Sequence, residues 1–200
     1  MWQLRTTFWL IFLTIVGNNL LQAQDKEVFH GKEGTLYLTD ERVATGNMSY
    51  DLEREIVQIK VEGRLYSFQA NQIQRFMVYG REEELRYFES LPVALDNGYV
   101  RNQLFELLYK GEASLYSREY EVGIGNQIFY AHDFYLKSPT YEYPFDLAER
   151  NFKKFANAFG VFSKEINAYR KQKGVDIKNP VDVADVVKYY NHLLQSTKNK

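Results

Sequence analysis

Apolar and polar positions in this chain follow two different periods. From Gly34 onward they alternate in short runs, the pattern of half-buried β-strands. Gly34–Thr39 (GTLYLT) puts Leu36 and Leu38 on one face, and Asp40–Arg42 reads as a polar turn. Val43–Tyr50 predicts a second strand and Ile56–Val61 a third, with Val57, Ile59 and Val61 in phase. Glu62-Gly63 is a tight turn, and Arg64–Phe68 follows as the fourth strand. Strands this short, spaced this closely, predict antiparallel hairpins in a sheet that curls toward a barrel or half-barrel.

The middle of the chain is more mixed. Ile73, Phe76 and Val78 fit a helical turn running into a strand, 80–86 reads as a charged loop, and Ser90-Leu-Pro92 marks a bend. Arg101–Tyr109 carries both a helix-like and a strand-like spacing. The turn-like Lys110-Gly-Glu112 after it favours the strand. Ala113–Val122 is a clear strand, Gly123–Asn126 a turn and Gln127–Leu136 the returning strand.

Beyond Ser138-Pro139 the period lengthens to that of a helix. Asp146–Glu149 has the spacing of a capping box. Apolar residues then recur at alternating steps of four and three from Ala148 through Phe152, Phe155, Phe159, Phe162 and Ile166 to Tyr169. Gly160 lies inside that stripe and is expected to split the helix, and Gly174 to end it. Asn179-Pro180 caps and opens a further helix with Val183, Val186, Val187, Tyr190 and Leu194 on its apolar face. The expected fold class is α+β: a small, barrel-like antiparallel sheet followed by two or three C-terminal helices packed on it or on each other.

Residues 1–23 stand apart from both patterns. Arg5, the apolar run Phe8–Val16 and the breaking Gly17–Asn19 have the layout of a secretory signal peptide, with cleavage expected between Ala23 and Gln24. The run is far shorter than the ~20 residues a membrane-spanning helix needs. The expected organisation is a leader over 1–23, a flexible lead over 24–33, a β-rich domain over 34–138, a helical segment over 139–195 and a frayed tail over 196–200. The expected localisation is the periplasm, cell surface or extracellular space. No membrane span is expected in the mature chain.

The hairpin Gly34–Thr39 with Gly46–Tyr50, the step Phe68–Phe76 (FQANQIQRF), the hairpin Phe105–Tyr116 and the tail at Tyr189-Tyr190-Asn191 together resemble a family of uncharacterised, exported bacterial envelope proteins. That resemblance implies an envelope protein. It brings no catalytic residues with it.

Composition narrows the chemistry. The chain of 200 residues has no cysteine, which removes disulfides, thiol catalysis and thiolate metal sites. Loss of the leader takes away only Arg5, leaving 24 basic against 26 acidic side chains, so no field favours nucleic acid. His30, His132 and His192 lack metal-ligand spacing, and no Gly-x-Ser-x-Gly elbow occurs. Gly123-Ile-Gly125 lacks the third glycine of a phosphate loop. Glu82–Glu84 reads as a solvated run, with Glu53 and Glu55 the next densest acids. No cofactor or metal is expected.

The aromatic residues are the departure from the ordinary: 16 Tyr and 14 Phe, with Phe129, Tyr130, Phe134, Tyr135, Tyr141, Tyr143 and Phe145 crowded into one stretch. Three functions follow. The leading one is a non-catalytic envelope protein acting through protein–protein contact. The alternative is a glycan- or small-ligand-binding module whose exposed, coplanar Tyr135, Tyr141 and Tyr143 form a platform. The third is a hydrolase with dispersed carboxylates facing each other across a cleft.

Overall fold

The structure, a computed structural model, describes residues 27–80, 84–95, 98–124, 127–147 and 152–198. The expected leader, its cleavage point, Glu82-Glu83 and Ala148-Glu149 lie outside them.

The strands are β1 (Glu27–Leu38), β2 (Val43–Asp51), β3 (Ile56–Val61), β4 (Arg64–Gln69), β5 (Ile73–Tyr79), β6 (Leu85–Ala94), β7 (Val100–Tyr109), β8 (Ser114–Ile124), β9 (Gln127–Lys137) and β10 (Phe145–Asp146). A short 3-10 turn, Ala70–Gln72, joins β4 to β5. The helices are α1 (Phe152–Asn157), α2 (Ser163–Lys173) and α3 (Pro180–Lys198). All pairings are antiparallel, in the order β10-β9-β8-β7-β6-β5-β1-β2-β3-β4. The chain therefore runs as two meanders joined where β5 returns beside β1. The α+β class stands: an antiparallel sheet followed by C-terminal helices.

Two apolar clusters lie along this sheet. In the first, Leu36, Met48, Val57, Ile59, Ile73, Phe76, Val78, Phe88 and Leu104 come from six strands, so this half of the sheet curls around its own side chains. Tyr50 stands edge-on to Phe76 and Phe88, which stack at 4.5 Å. The second cluster is where the helices cover the sheet. Leu115, Phe134 and Leu136 meet Phe155, Phe159, Ile166, Val183, Val186, Val187 and Tyr190. On the opposite face, Leu91, Phe105 and Tyr116 form a smaller cluster.

The helical stripe breaks where expected. Gly160 takes φ +58, which an L side chain adopts only at a cost, and a 3-10 turn separates α1 from α2. Gly174 closes α2 with its amide on the Arg170 carbonyl. Asn179 Oδ1 accepts the Val181 N–H at 2.9 Å, and Pro180 opens α3.

Several expectations are corrected: Ile73, Phe76 and Val78 lie in strand β5 rather than a helical turn, and Leu85-Arg86 open β6 rather than closing a loop. The flexible lead over 24–33 is wrong from Glu27 onward, because β1 already begins there and pairs with β2. The bend at Ser90–Pro92 is continuous strand. β5 pairs with β6 only as far as Glu89, so the missing N–H of Pro92 faces no β5 partner. Asp146 does not open a helix but pairs with Tyr135 in β10. The frayed tail over 196–200 is helical through Lys198, with the Thr197 hydroxyl donating to the Leu193 carbonyl at 2.9 Å.

Candidate contact surface

Two groups of buried polar side chains are engaged with one another. Arg86, expected in a charged loop, instead points inward from β6 with its side chain 6% exposed. Its Nε and one terminal nitrogen bind the two oxygens of Glu106, each at 2.7 Å, and the terminal nitrogen also reaches Glu119 at 2.7 Å. Burial alone would lower the guanidinium's pKa. The hydrogen bonds and charge of Glu106 and Glu119 outweigh it and hold the value above its ordinary level. Beside them, Ser117 Oγ lies 3.0 Å from His132 Nδ1. Ser117 is fully buried and presents no hydroxyl to solvent.

A second polar cluster fills a fork in the sheet. β7 pairs with β8 only from Glu106 onward, so Val100–Phe105 has no β8 partner. The β2–β3 turn enters this gap. Glu55 accepts the Leu104 N–H at 3.0 Å and the Tyr50 hydroxyl at 3.1 Å, and it pairs with Arg118. Arg118 also donates to the Leu52 carbonyl and to Gln103. Burial raises the Glu55 pKa above the ordinary carboxyl value, against the pull of Arg118 and the hydrogen bonds from Leu104 and Tyr50. Both carboxylate clusters are thus spent on fixed partners. Among the described residues no group of three or more His, Asp or Glu is placed to hold a metal ion.

The expected aromatic platform is not assembled. Strand alternation sends Tyr135 to the face away from the helices, edge-on to Phe105 at 4.8 Å. Burial, with the charge of Asp146, pushes its phenol up to about 12. Tyr141 packs instead against the helical cluster, stacked on Phe145 at 4.5 Å, with its hydroxyl on the Ala158 carbonyl at 2.8 Å. Tyr143 is half-buried beside Glu142, whose carboxylate raises its pKa. Two of the three rings are anchored in different clusters, so they do not share one surface.

Exposed rings occur elsewhere, on the outer face of the β5–β6 hairpin. Phe76 opposes Phe88 and Val78 opposes Arg86, all pointing inward. The intervening pairs, Tyr79 with Leu85 and Met77 with Tyr87, must point outward. Tyr79 is 46% exposed, Leu85 41% and Tyr87 45%. Met77 is half-buried between them and β1, where Arg75 lies over the Tyr37 ring at 4.4 Å. Large apolar surface, aromatic hydroxyls, a methionine and an arginine meet on one face of neighbouring strands. Reading Ile73, Phe76 and Val78 as a helical turn hides this face. Strand alternation carried through to Tyr79, and resumed at Leu85, would have shown it.

Compared with protein-family models, with curated proteins and with solved structures, the chain matches none.

Proposed function

We propose that this chain is an exported, non-catalytic protein of the cell envelope that acts through protein–protein contact, and that the contact surface is the outer face of β5 and β6. The observation that carries the reading is the joint exposure of Tyr79, Leu85 and Tyr87 beside Met77. Tyrosine, methionine and arginine are the residue types enriched where protein surfaces meet. Each tyrosine supplies a large apolar face at little entropic cost and keeps its hydroxyl for a hydrogen bond at the rim. Among the described residues the buried acids of both clusters are held by fixed partners and Ser117 is buried, so neither offers support for the hydrolase reading. The separation of Tyr135 from Tyr141 removes the geometric support for a sugar platform. The export half of the reading rests on the leader-like residues 1–23.

A photo-crosslinking residue in place of Tyr87 tests the surface in intact cells, with the same residue at Val181, 66% exposed on α3, as the control. The expected result is a discrete adduct from the Tyr87 position that the Val181 position does not give. Equal labelling at both, or none at Tyr87, would sink the assignment.

A further inference from the structure

We propose that β4 is a homodimer edge, pairing antiparallel with β4 of a second copy about a two-fold axis at Tyr66. Among the described residues β4 ends the sheet order and pairs only with β3. Its residues are exposed except for the half-buried Phe68, with Leu65 at 63% and Tyr66 at 44%. An unprotected edge strand with apolar side chains is a template for another strand. This one carries no proline, lysine or acidic residue from Arg64 to Gln69.

The free backbone groups fix the register. Glu62 and Gly63 both have positive φ, the requirement of a two-residue type I′ hairpin turn. In such a turn the flanking Val61 and Arg64 exchange hydrogen bonds, so Arg64, Tyr66 and Phe68 bond inward to β3. Leu65, Ser67 and Gln69 then aim their N–H and C=O groups at the open edge. The Gln69 N–H is already taken by Gln72 Oε1 at 3.0 Å, which ends the available stretch. Leu65 and Ser67 remain.

Those two residues complement themselves. With Leu65 opposite Ser67 of the second copy, each exchanges both bonds with the other, and the two-fold repeats the exchange. Tyr66 then faces Tyr66 across the axis as a non-hydrogen-bonded pair, where side chains approach most closely. Arg64 faces Phe68 on both sides, a cation over an aromatic ring. Shifting the register by one residue would oppose side chains from different faces of the sheet. The edge is short and buries less than the ~1,200 Å² of a standard interface, so the dimer is weak and concentration-dependent. This goes beyond the β5–β6 contact reading and does not depend on it. Because it uses a different surface, the Tyr66 and Tyr87 experiments fail independently.

The cysteine-free chain permits a direct test of the register. At a non-hydrogen-bonded pair the Cα atoms stand about 4.5 Å apart, within disulfide reach. The purified Tyr66→Cys protein should oxidise rapidly to a covalent dimer, and Leu85→Cys on the β6 outer face should not. In parallel, analytical ultracentrifugation of the unmodified chain over a wide concentration range should show reversible dimerisation. Ser67→Pro should abolish it while keeping the circular dichroism melt of the monomer, since the hairpin register aims that N–H away from β3. A monomer at every concentration, a dimer that survives a folded Ser67→Pro, or equal oxidation at Tyr66→Cys and Leu85→Cys would each overturn the proposal. Should Ser67→Pro fail to fold, the oxidation rates decide.

Discussion

Glutamate occupies each left-handed, non-glycine position among the described residues: Glu41 at φ 70, Glu55 at φ 55 and Glu62 at φ 49. That conformation costs an L-residue roughly 1–2 kcal/mol relative to right-handed backbone, and glycine almost nothing. Glu41 and Glu62 are exposed, so Glu41→Gly and Glu62→Gly should be neutral or stabilise by up to about 1 kcal/mol in urea melts. Glu55→Gly should go the other way. It relieves the same backbone but strips the acceptor from the Leu104 N–H and leaves Arg118 without its carboxylate, a loss of about 1–3 kcal/mol. Equal effects at all three sites would refute this account of the fork. Protonation gives a second handle. Because the native pKa of Glu55 is raised, the folded state binds a proton more readily than the unfolded chain. Stability contributed by this group therefore rises as pH falls through the native value, and levels off below the ordinary value of 4.5. Measured against Glu55→Gln, the natural chain should gain on acidification across that window. A relative loss there would reverse the assignment of burial as the dominant influence. Arg86 is the costlier site. Arg86→Met abandons two buried carboxylates and should cost about 3–5 kcal/mol, whereas also replacing Glu106 and Glu119 by leucine should recover most of it.

Single elements were readable to the extent that their order is local. Period-two runs marked most of the strands, and the Asn179-Pro180 and Gly174 signals bounded α2 and α3. What escaped was set by partners distant in sequence. Arg86 sits in a charged run, and only strand pairing shows that Glu106 and Glu119 await it on the inner face. Pro92 reads as a bend until β5 is seen to stop short of it. Tyr135, Tyr141 and Tyr143 look like neighbours in sequence, yet the pleat sends Tyr135 one way and the connector carries Tyr141 the other. The proposed contact face at Tyr79, Leu85 and Tyr87 is split in the sequence by a polar run and joined by the β5–β6 register. The attachment of α3 is another long-range feature. Asn191 Oδ1 accepts the Ala113 N–H, and its amide nitrogen donates to the Ala113 and Val187 carbonyls, all at 2.8 Å. Lys198 reaches Glu112 at 2.7 Å from the same helix. Asn191→Leu should cost about 1–3 kcal/mol, because it strands a buried N–H and C=O at the head of β8. Lys198→Ala should change thermal stability little, since that pair is largely exposed on the lysine side.

Across the whole molecule, the strands form one antiparallel sheet, yet its two large apolar clusters lie at different places along it. β7 serves both, with Leu104 in the curled half and Leu108 against the helices. Between the two, the ladder is interrupted at the β7–β8 fork, and a turn from the far end of the sheet stands in for the missing strand. This substitution has a kinetic signature. An amide held by a neighbouring strand exchanges its hydrogen with solvent when the ladder frays. The Leu104 amide is held by a carboxylate on a separate loop, so its exchange should follow excursions of that loop rather than the opening of β7. In Glu55→Gly, deuterium should enter at Leu104 long before it enters at Glu106, two residues along the same strand. Leu104 would thereby act as a resident clock for how often the curled half of the molecule lets go of the rest.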